Sequence, residues 1–321
     1  MTLQQALILA AQSLGANRNI ENPSFESEVL LRHILQINRA QLFLEKEQQL
    51  PLDKEQLFLR LIERCLQGEP AAYIIQRREF YGLDFYVDPR VLIPRPETEL
   101  LVEEALDFAK NHFMLTIADI GTGSGAIAIS LAVKLLISPF PHPVILERSE
   151  ESQGGVTPLL QAPVTPDPKL INNNVKIYAT DISTSALEVA RLNCEKHHVT
   201  ENIKLLQGDL LDPLPRPVDI LIANLPYVST ADFALMPSAR YEPSQALDGG
   251  ESGLDQIFRL CRQIEGKVKP GGCVLLEIGM GQGQSVKDYL QILFKDTLIE
   301  IIPDLAGIER VLKMRLTKTG N

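Results

Sequence analysis

The sequence predicts a doubly wound α/β fold on a seven-stranded, mostly parallel sheet, preceded by a small helical unit and a linking β-hairpin. Three observations carry this. From Leu115 onward, apolar runs of strand length alternate with helix-length segments. A glycine-rich turn, Gly121-Thr-Gly-Ser-Gly125, joins the first such strand to the first such helix. The last two strands are joined only by Pro303–Gly307, too short for a parallel crossover, so the final strand should enter antiparallel.

Taken in order, Leu3–Leu14 is apolar-rich and free of Gly and Pro. Asn22–Pro23 reads as an N-cap followed by Pro at the first helical position, opening a helix through Leu35. A third helix is expected at about 54–67, with Leu57, Leu61 and Cys65 on one face and Gly68 ending it. These helices make an N-terminal domain, residues 1–76. Arg78–Asp88 carries aromatic and β-branched residues around Gly82 and predicts a hairpin within a linker, residues 77–94. Pro94 and Pro96 then enforce extended backbone before a helix that starts near Glu97 and carries Leu100, Leu101, Ala105 and Phe108.

In the remaining domain, residues 95–321, strands are expected at 115–120, 175–180, 203–207, 218–223, 272–278, 297–302 and 308–316. Helices are expected near 124–137, 183–197, 253–266 and 282–294. The segment 138–173 interrupts this rhythm with seven prolines and no periodicity, and reads as an exposed insertion.

Composition narrows the function. The formal net charge of −10 argues against gripping nucleic acid through its phosphates. Cys65, Cys194, Cys261 and Cys273 form no Cys-x-x-Cys pair and have no His at ligand spacing, so buried or partly buried reduced thiols and no metal site are expected. His197–His198 reads as a solvated, charged helix end. Met1–Leu14 lacks the basic and apolar regions of a signal peptide, and no stretch nears the roughly 20 apolar residues of a bilayer span, so a soluble, cytoplasmic protein is expected.

Asp119-Ile-Gly121-Thr122-Gly123-Ser124-Gly125-Ala126 ends a strand and opens a helix. Its glycines permit a tight turn and close approach of a ligand, and the helix start offers free amides. The string also fits G-x-G-x-x-A, so it indicates a nucleotide-like ligand without saying which. An acidic residue at the end of the next strand should bind ribose hydroxyls about 20 residues on. Asp181 lies 60 residues beyond Gly121, and setting aside the 36-residue insertion leaves 24. Asp209 ends the third strand similarly, placed for an adenine amino group or for a simple turn, with Leu210 beside it against the ring.

After the fourth strand comes Asn224-Leu225-Pro226-Tyr227. It resembles the [Asn/Asp]-Pro-Pro-[Tyr/Phe] loop of methyltransferases acting on nitrogens conjugated to a π-system. The residue types suit that chemistry. An amide lone pair is delocalised, so Asn224 and a neighbouring carbonyl, each accepting one N–H, would orient it and stabilise developing charge. Tyr227 would offer a flat face to the planar group.

Further strings occur in order: Arg78-Glu-Phe-Tyr-Gly82, Leu92-Ile-Pro-Arg-Pro-Glu-Thr-Glu99, Tyr241-Glu-Pro243, Ala246-Leu-Asp-Gly-Gly-Glu-Ser-Gly-Leu254 and Leu276-Glu-Ile-Gly279. Together with the two loops they resemble the release factor glutamine methyltransferase family, over nearly the whole chain except the insertion. The resemblance implies a class I, Rossmann-like methyltransferase fold and S-adenosyl-L-methionine as cofactor. It also implies that the substrate is the glutamine of the Gly-Gly-Gln motif in peptide chain release factors 1 and 2. On this reading Asn224, Pro226 and Tyr227 are catalytic, and Asn224 to Tyr227 contact the glutamine. Asp119, Gly121 to Gly125, Asp181, Asp209, Leu210 and Asn224 surround the cofactor. The N-terminal domain docks the release factor, and the enzyme is a monomer with no stable nucleic-acid or membrane partner.

Two departures stand out: Leu225 where the family usually has Pro, and the insertion. Other readings are a DNA or RNA amino-methyltransferase acting on a flipped base, a nicotinamide-dependent dehydrogenase, and a non-catalytic binding module. The dehydrogenase reading leaves Asn224-Leu-Pro-Tyr without a role. Arg95, Glu97, Glu277, Phe80 and Tyr81 each have a plain structural reading as turn, strand-end or core residues.

Overall fold

The computed structural model describes the whole chain except residues 18–19, 21, 111, 113, 138–174, 237–239, 296 and 318–321. The expected insertion at 138–173 therefore lies outside the described residues.

The N-terminal unit comprises α1 (Leu3–Gly15), α2 (Pro23–Leu35), α3 (Arg39–Leu44), α4 (Leu52–Leu66) and the single turn α5 (Ala71–Ile74). Thr2 and Gln5 form a reciprocal capping box on α1, and the Asn22 side chain caps α2 before Pro23. The short α3 and α5 escape a reading by periodicity because each is too brief to show a repeat. On α4 the buried stripe is Phe58, Ile62 and Cys65, while Leu57 is exposed and Leu61 only partly covered. Cys65 is buried as expected, whereas Phe58 and Ile62 take the buried places expected for Leu57 and Leu61. Phe58 is the bulkier apolar group, and burying it removes more surface from water. Leu14, Leu30, Leu31 and Phe58 centre this unit's own core.

A hairpin of β1 (Arg78–Phe80) and β2 (Leu83–Phe85) follows. Its Phe80 and Phe85 pack edge to face in the main core. His197 Nε2 lies 3.0 Å from the Asp84 carbonyl, and its ring packs on Phe85. Burial lowers its pKa. The expected solvated charge is therefore corrected for His197: it tethers the hairpin, and desolvation disfavours the cation.

The large sheet contains β3 (Leu115–Ile120), β4 (Val175–Asp181), β5 (Ile203–Gln207), β6 (Val218–Ala223), β7 (Val268–Glu277), β8 (Leu298–Pro303) and β9 (Glu309–Arg315), in the order β5-β4-β3-β6-β7-β9-β8. The first five strands of that order are parallel, and β9 inserts antiparallel between β7 and β8. The helices of this domain are α6 (Glu99–Ala109), α7 (Ala126–Ile137), α8 (Thr184–Lys196), α9 (Thr230–Phe233), α10 (Asp255–Gln263) and α11 (Gly283–Leu293). Buried apolar residues lie on both faces of the sheet, as a parallel sheet requires.

Parallel register decides what meets at the sheet's carboxyl edge. Ile120 is level with Thr180 and with Ala223, and Ala223 is level with Leu276. The next residue of each strand or loop, Gly121, Asp181, Asn224 and Glu277, therefore falls in one row. The chain order reverses between β3 and β6, the switch point where open α/β sheets bind ligands.

Candidate active site

A cleft of about 950 Å³, counted out to its open mouth, lies over that switch point. Gly121 and Gly123 form part of its floor, with φ of 72° and 54°, backbone angles a side chain disfavours. Asp181, Ile182, Asp209 and Leu210 line one side, and Asn224, Leu225 and Pro226 the other.

Asp181 accepts the Gly123 N–H on one oxygen and the Ser183 N–H on the other, each at 2.9 Å. A carboxylate has about four acceptor sites, so capacity remains for hydroxyls. Its pKa is raised by burial. Leu210 sits at φ 48°, an angle uncommon for a branched apolar residue, and its carbonyl is held by the Thr180 hydroxyl at 3.2 Å. Asp209 pairs with Arg259 of α10, so one of its oxygens is already engaged.

Four of the expected cofactor residues do not line the cleft. Asp119 is buried beneath the loop, where its carboxylate accepts from the Thr122 hydroxyl at 2.6 Å and the Ala128 N–H at 3.2 Å. Burial pushes its pKa up to about 6. Thr122 and Ser124 are buried, and the Ser124 carbonyl accepts from Asn193 at 2.9 Å. Gly125 faces Ile129 and Ala190 of the neighbouring helices. These residues shape the glycine turn from behind. Conversely, Arg90, Gln245, Ala246, Gln256 and Arg259 line the cleft without having been singled out for it. Gln245 and Ala246 come from the chain after Tyr241-Glu-Pro, Gln256 and Arg259 from α10 and Arg90 from the segment after the hairpin. No string gives a position until these segments fold across the sheet.

Asn224 donates from Nδ2 to the Thr98 hydroxyl at 3.0 Å, which leaves Oδ1 free to accept. Leu225 is buried, with Cδ2 only 3.2 Å from where a Cβ on Gly121 would stand. Tyr227 donates its hydroxyl to Glu277 Oε1 at 3.1 Å, and its carbonyl accepts from Gln282 at 2.9 Å. Burial and the Glu277 carboxylate raise the Tyr227 pKa, so the phenol stays protonated. Arg95 is ion-paired to the buried Glu242, which also receives the Ile93 N–H at 3.3 Å. That pair fixes the proline segment beside the cleft. Among the described residues, no group of three or more His, Cys, Asp or Glu could hold a metal ion.

The donor set fits S-adenosylmethionine. Asp181 has acceptor sites left for a ribose diol, Leu210 and Ile182 flank it with apolar surface, and the floor is bare backbone. The side-chain amide of Asn224 lines the same cleft at the switch point. A chain so built is a class I S-adenosylmethionine-dependent methyltransferase.

Comparison with known proteins narrows the class. The family model "RMKL-like, methyltransferase domain" matches residues 61–234, and "PrmC N-terminal domain" matches residues 5–75. The release factor glutamine methyltransferase of Moorella thermoacetica is 38% identical over 97% of both chains. That of Koribacter versatilis is 35% identical, again over 97% of both. Among solved structures, the hMettl16 catalytic domain superposes with a TM-score of 0.50 at 14% identity, covering 75% of this chain and 77% of its own, a likeness of fold alone. The chain belongs to the release factor glutamine methyltransferase family.

Proposed function

We propose that this enzyme methylates the side-chain amide nitrogen of the glutamine in the Gly-Gly-Gln motif of peptide chain release factors 1 and 2. The observation that carries the reading is Asn224: it lines the cleft, and its amide is anchored through Nδ2, which leaves Oδ1 to accept.

Asp181 holds the ribose hydroxyls of S-adenosylmethionine, Leu210 and Ile182 flank the adenine, and Gly121 and Gly123 allow close approach. Asp209, fixed by Arg259, borders the same adenine site. When bound, the cofactor supplies an electrophilic methyl group on a sulfonium. Asn224 Oδ1 and a main-chain carbonyl of Leu225–Pro226 each accept one N–H of the substrate amide. That orients its lone pair and stabilises charge growing on nitrogen. Tyr227 supports the planar amide. No side chain in this loop needs to act as a strong base before transfer, because the nitrogen becomes acidic as it is alkylated.

The N-terminal helical unit, residues 1–76, docks the release factor and the hairpin linker, 77–94, joins it to the methyltransferase domain, 95–321. Support comes from the separate core of that unit and from its family match. We further assign the enzyme a monomeric state and a cytoplasmic location, where translation termination takes place. Among the described residues no helix is long and apolar enough to cross a membrane. The formal charge of −10 weighs against the flipped-base alternative.

The test is transfer of labelled methyl from S-adenosylmethionine to a purified release factor, beside its Gly-Gly-Gln to Gly-Gly-Ala variant, with DNA and tRNA in parallel. Label in the wild-type factor alone is expected. Label in nucleic acid instead would sink the glutamine reading.

Leu225 gives a second prediction. Pro226 already restricts Leu225 to extended geometry, so the carbonyl is retained where the family usually has Pro. Leu225→Pro should stabilise the fold by about 0.4–1 kcal/mol through the unfolded chain, and the stiffer loop should raise kcat. An unchanged kcat in the same methyl-transfer assay would show that rigidity at this position does not limit the reaction.

A further inference from the structure

We propose that Glu277 is a positioning residue for methyl transfer, setting Asn224 through Thr98 and Tyr227 directly. It rests on the roles assigned above to Asn224 and Tyr227.

Glu277 ends β7, level with the catalytic loop, and is 1% exposed. Its Oε1 accepts the Tyr227 hydroxyl at 3.1 Å. The hydroxyl of Thr98, in the 3₁₀ turn Pro96–Thr98, is near enough to favour the ionised carboxyl. It is not seated in a full hydrogen bond: Oε2 has no partner. The same Thr98 oxygen receives the Asn224 Nδ2–H. One buried carboxyl thus holds Tyr227 by its hydroxyl and sits beside the threonine that holds Asn224.

Donor and acceptor parity gives the arrangement its direction. A hydroxyl has one proton and two lone pairs. With an Asn224 N–H on a lone pair of Thr98, the Thr98 proton is left for an acceptor, and the ionised carboxylate of Glu277 is the acceptor beside it. That order pins Asn224 with nitrogen inward and oxygen toward the cleft. A protonated Glu277 competes as a donor for the same Thr98 oxygen, and the amide loses its handedness. For stability alone a carboxylate here is a poor choice, since burying a charge with one oxygen unpartnered is costly.

The remaining charges are few. Arg310 on β9, itself paired to Asp304, favours the ionised form, and Glu97 opposes it. Arg95 acts weakly on Tyr227. Burial dominates and pushes Glu277 up to about 7. As pH falls through that range the carboxyl gains a proton, so the wild-type rate should carry an acid limb there.

The test uses the full chain with Glu277→Gln, Thr98→Val and the double variant, both substitutions being near-isosteric. Each single variant should lose roughly 10- to 100-fold in kcat, the scale seen when a supporting partner of a site residue is removed. Binding of S-adenosylmethionine, read by calorimetry, should stay within about twofold. The double variant should be no slower than the worse single, because both break one relay. Glu277→Gln should also flatten the acid limb. A substrate-free readout accompanies these: the ¹⁵N–¹H signals of the Asn224 side-chain amide should shift in both single variants. Unshifted signals, wild-type turnover by Glu277→Gln, or losses that multiply in the double variant would each overturn the proposal. The comparison is made on whichever acceptor the wild-type enzyme labels. A wrong substrate therefore shows as wild-type inactivity on release factor, and a wrong role for Glu277 as variants indistinguishable from wild type.

Discussion

Asn224→Ala should lower kcat by about 10³-fold, the largest single loss expected in this enzyme. On the function proposed above, the side chain is the acceptor that orients a weakly nucleophilic amide, and it stabilises charge that exists only as the bond forms. Removing one preorganised group of that kind costs about 10²–10³ in kcat, and loss of orientation adds to it. The effect belongs in kcat, because Asn224 is one of many residues lining the cofactor cleft. Affinity for S-adenosylmethionine should change less than tenfold. Single-turnover transfer of labelled methyl, with calorimetry for cofactor binding, separates the two. A variant that binds cofactor normally and keeps more than about a tenth of its activity would remove Asn224 from the chemistry.

The second large effect is expected from a glycine with no contact to the reacting atoms. A Cβ on Gly249 would stand 2.6 Å from the Pro226 carbonyl, 2.7 Å from that of Gly253 and 2.9 Å from Tyr227 Cα. All three are backbone atoms, so no side-chain rotation relieves the clash. Gly249 is moreover tied to the catalytic loop by its N–H to the Val228 carbonyl at 2.8 Å, and Val228 N–H to the Leu247 carbonyl at 3.1 Å. Gly249→Ala must therefore displace the 224–227 segment, and displacements near 1 Å cost about 10²-fold in rate. Gly266→Ala is the control. Its φ is 72° but nothing lies within 4 Å of an added Cβ. It should lose about 1–2 kcal/mol of stability to backbone strain and keep normal kcat. Thermal unfolding and kcat measured on both variants decide the matter. Equal kcat in the two would mean that the 247–254 loop does not support the catalytic segment.

How far the sequence reached depended on distance along the chain. All seven strands of the large sheet and its antiparallel last pair were legible, because a parallel strand is a contiguous apolar run and its helix carries its own periodicity. The short α3, α5 and α9 were not, being too brief to repeat. The α4 face was misjudged because Leu57 and Phe58 are adjacent apolar residues, and only the neighbouring helices choose between them.

The same rule governs the site. The sequence by itself placed the glycine turn, Asp181 and Asn224-Leu-Pro at the cleft, since each follows directly on the end of a strand and parallel register aligns strand ends automatically. It did not separate residues that line the cleft, such as Gly121 and Gly123, from those that shape it from behind, such as Asp119 and Ser124. Tertiary structure alone decided that. It also decided that Thr98, 126 residues before Asn224, and Glu277, 50 residues after Tyr227, would meet at the catalytic loop. Pairings of that kind arise from the strand order β3-β6-β7 and the path of the proline segment beside it. Local preference and periodicity act over a few residues, whereas these hydrogen bonds form only once the sheet has brought distant segments together.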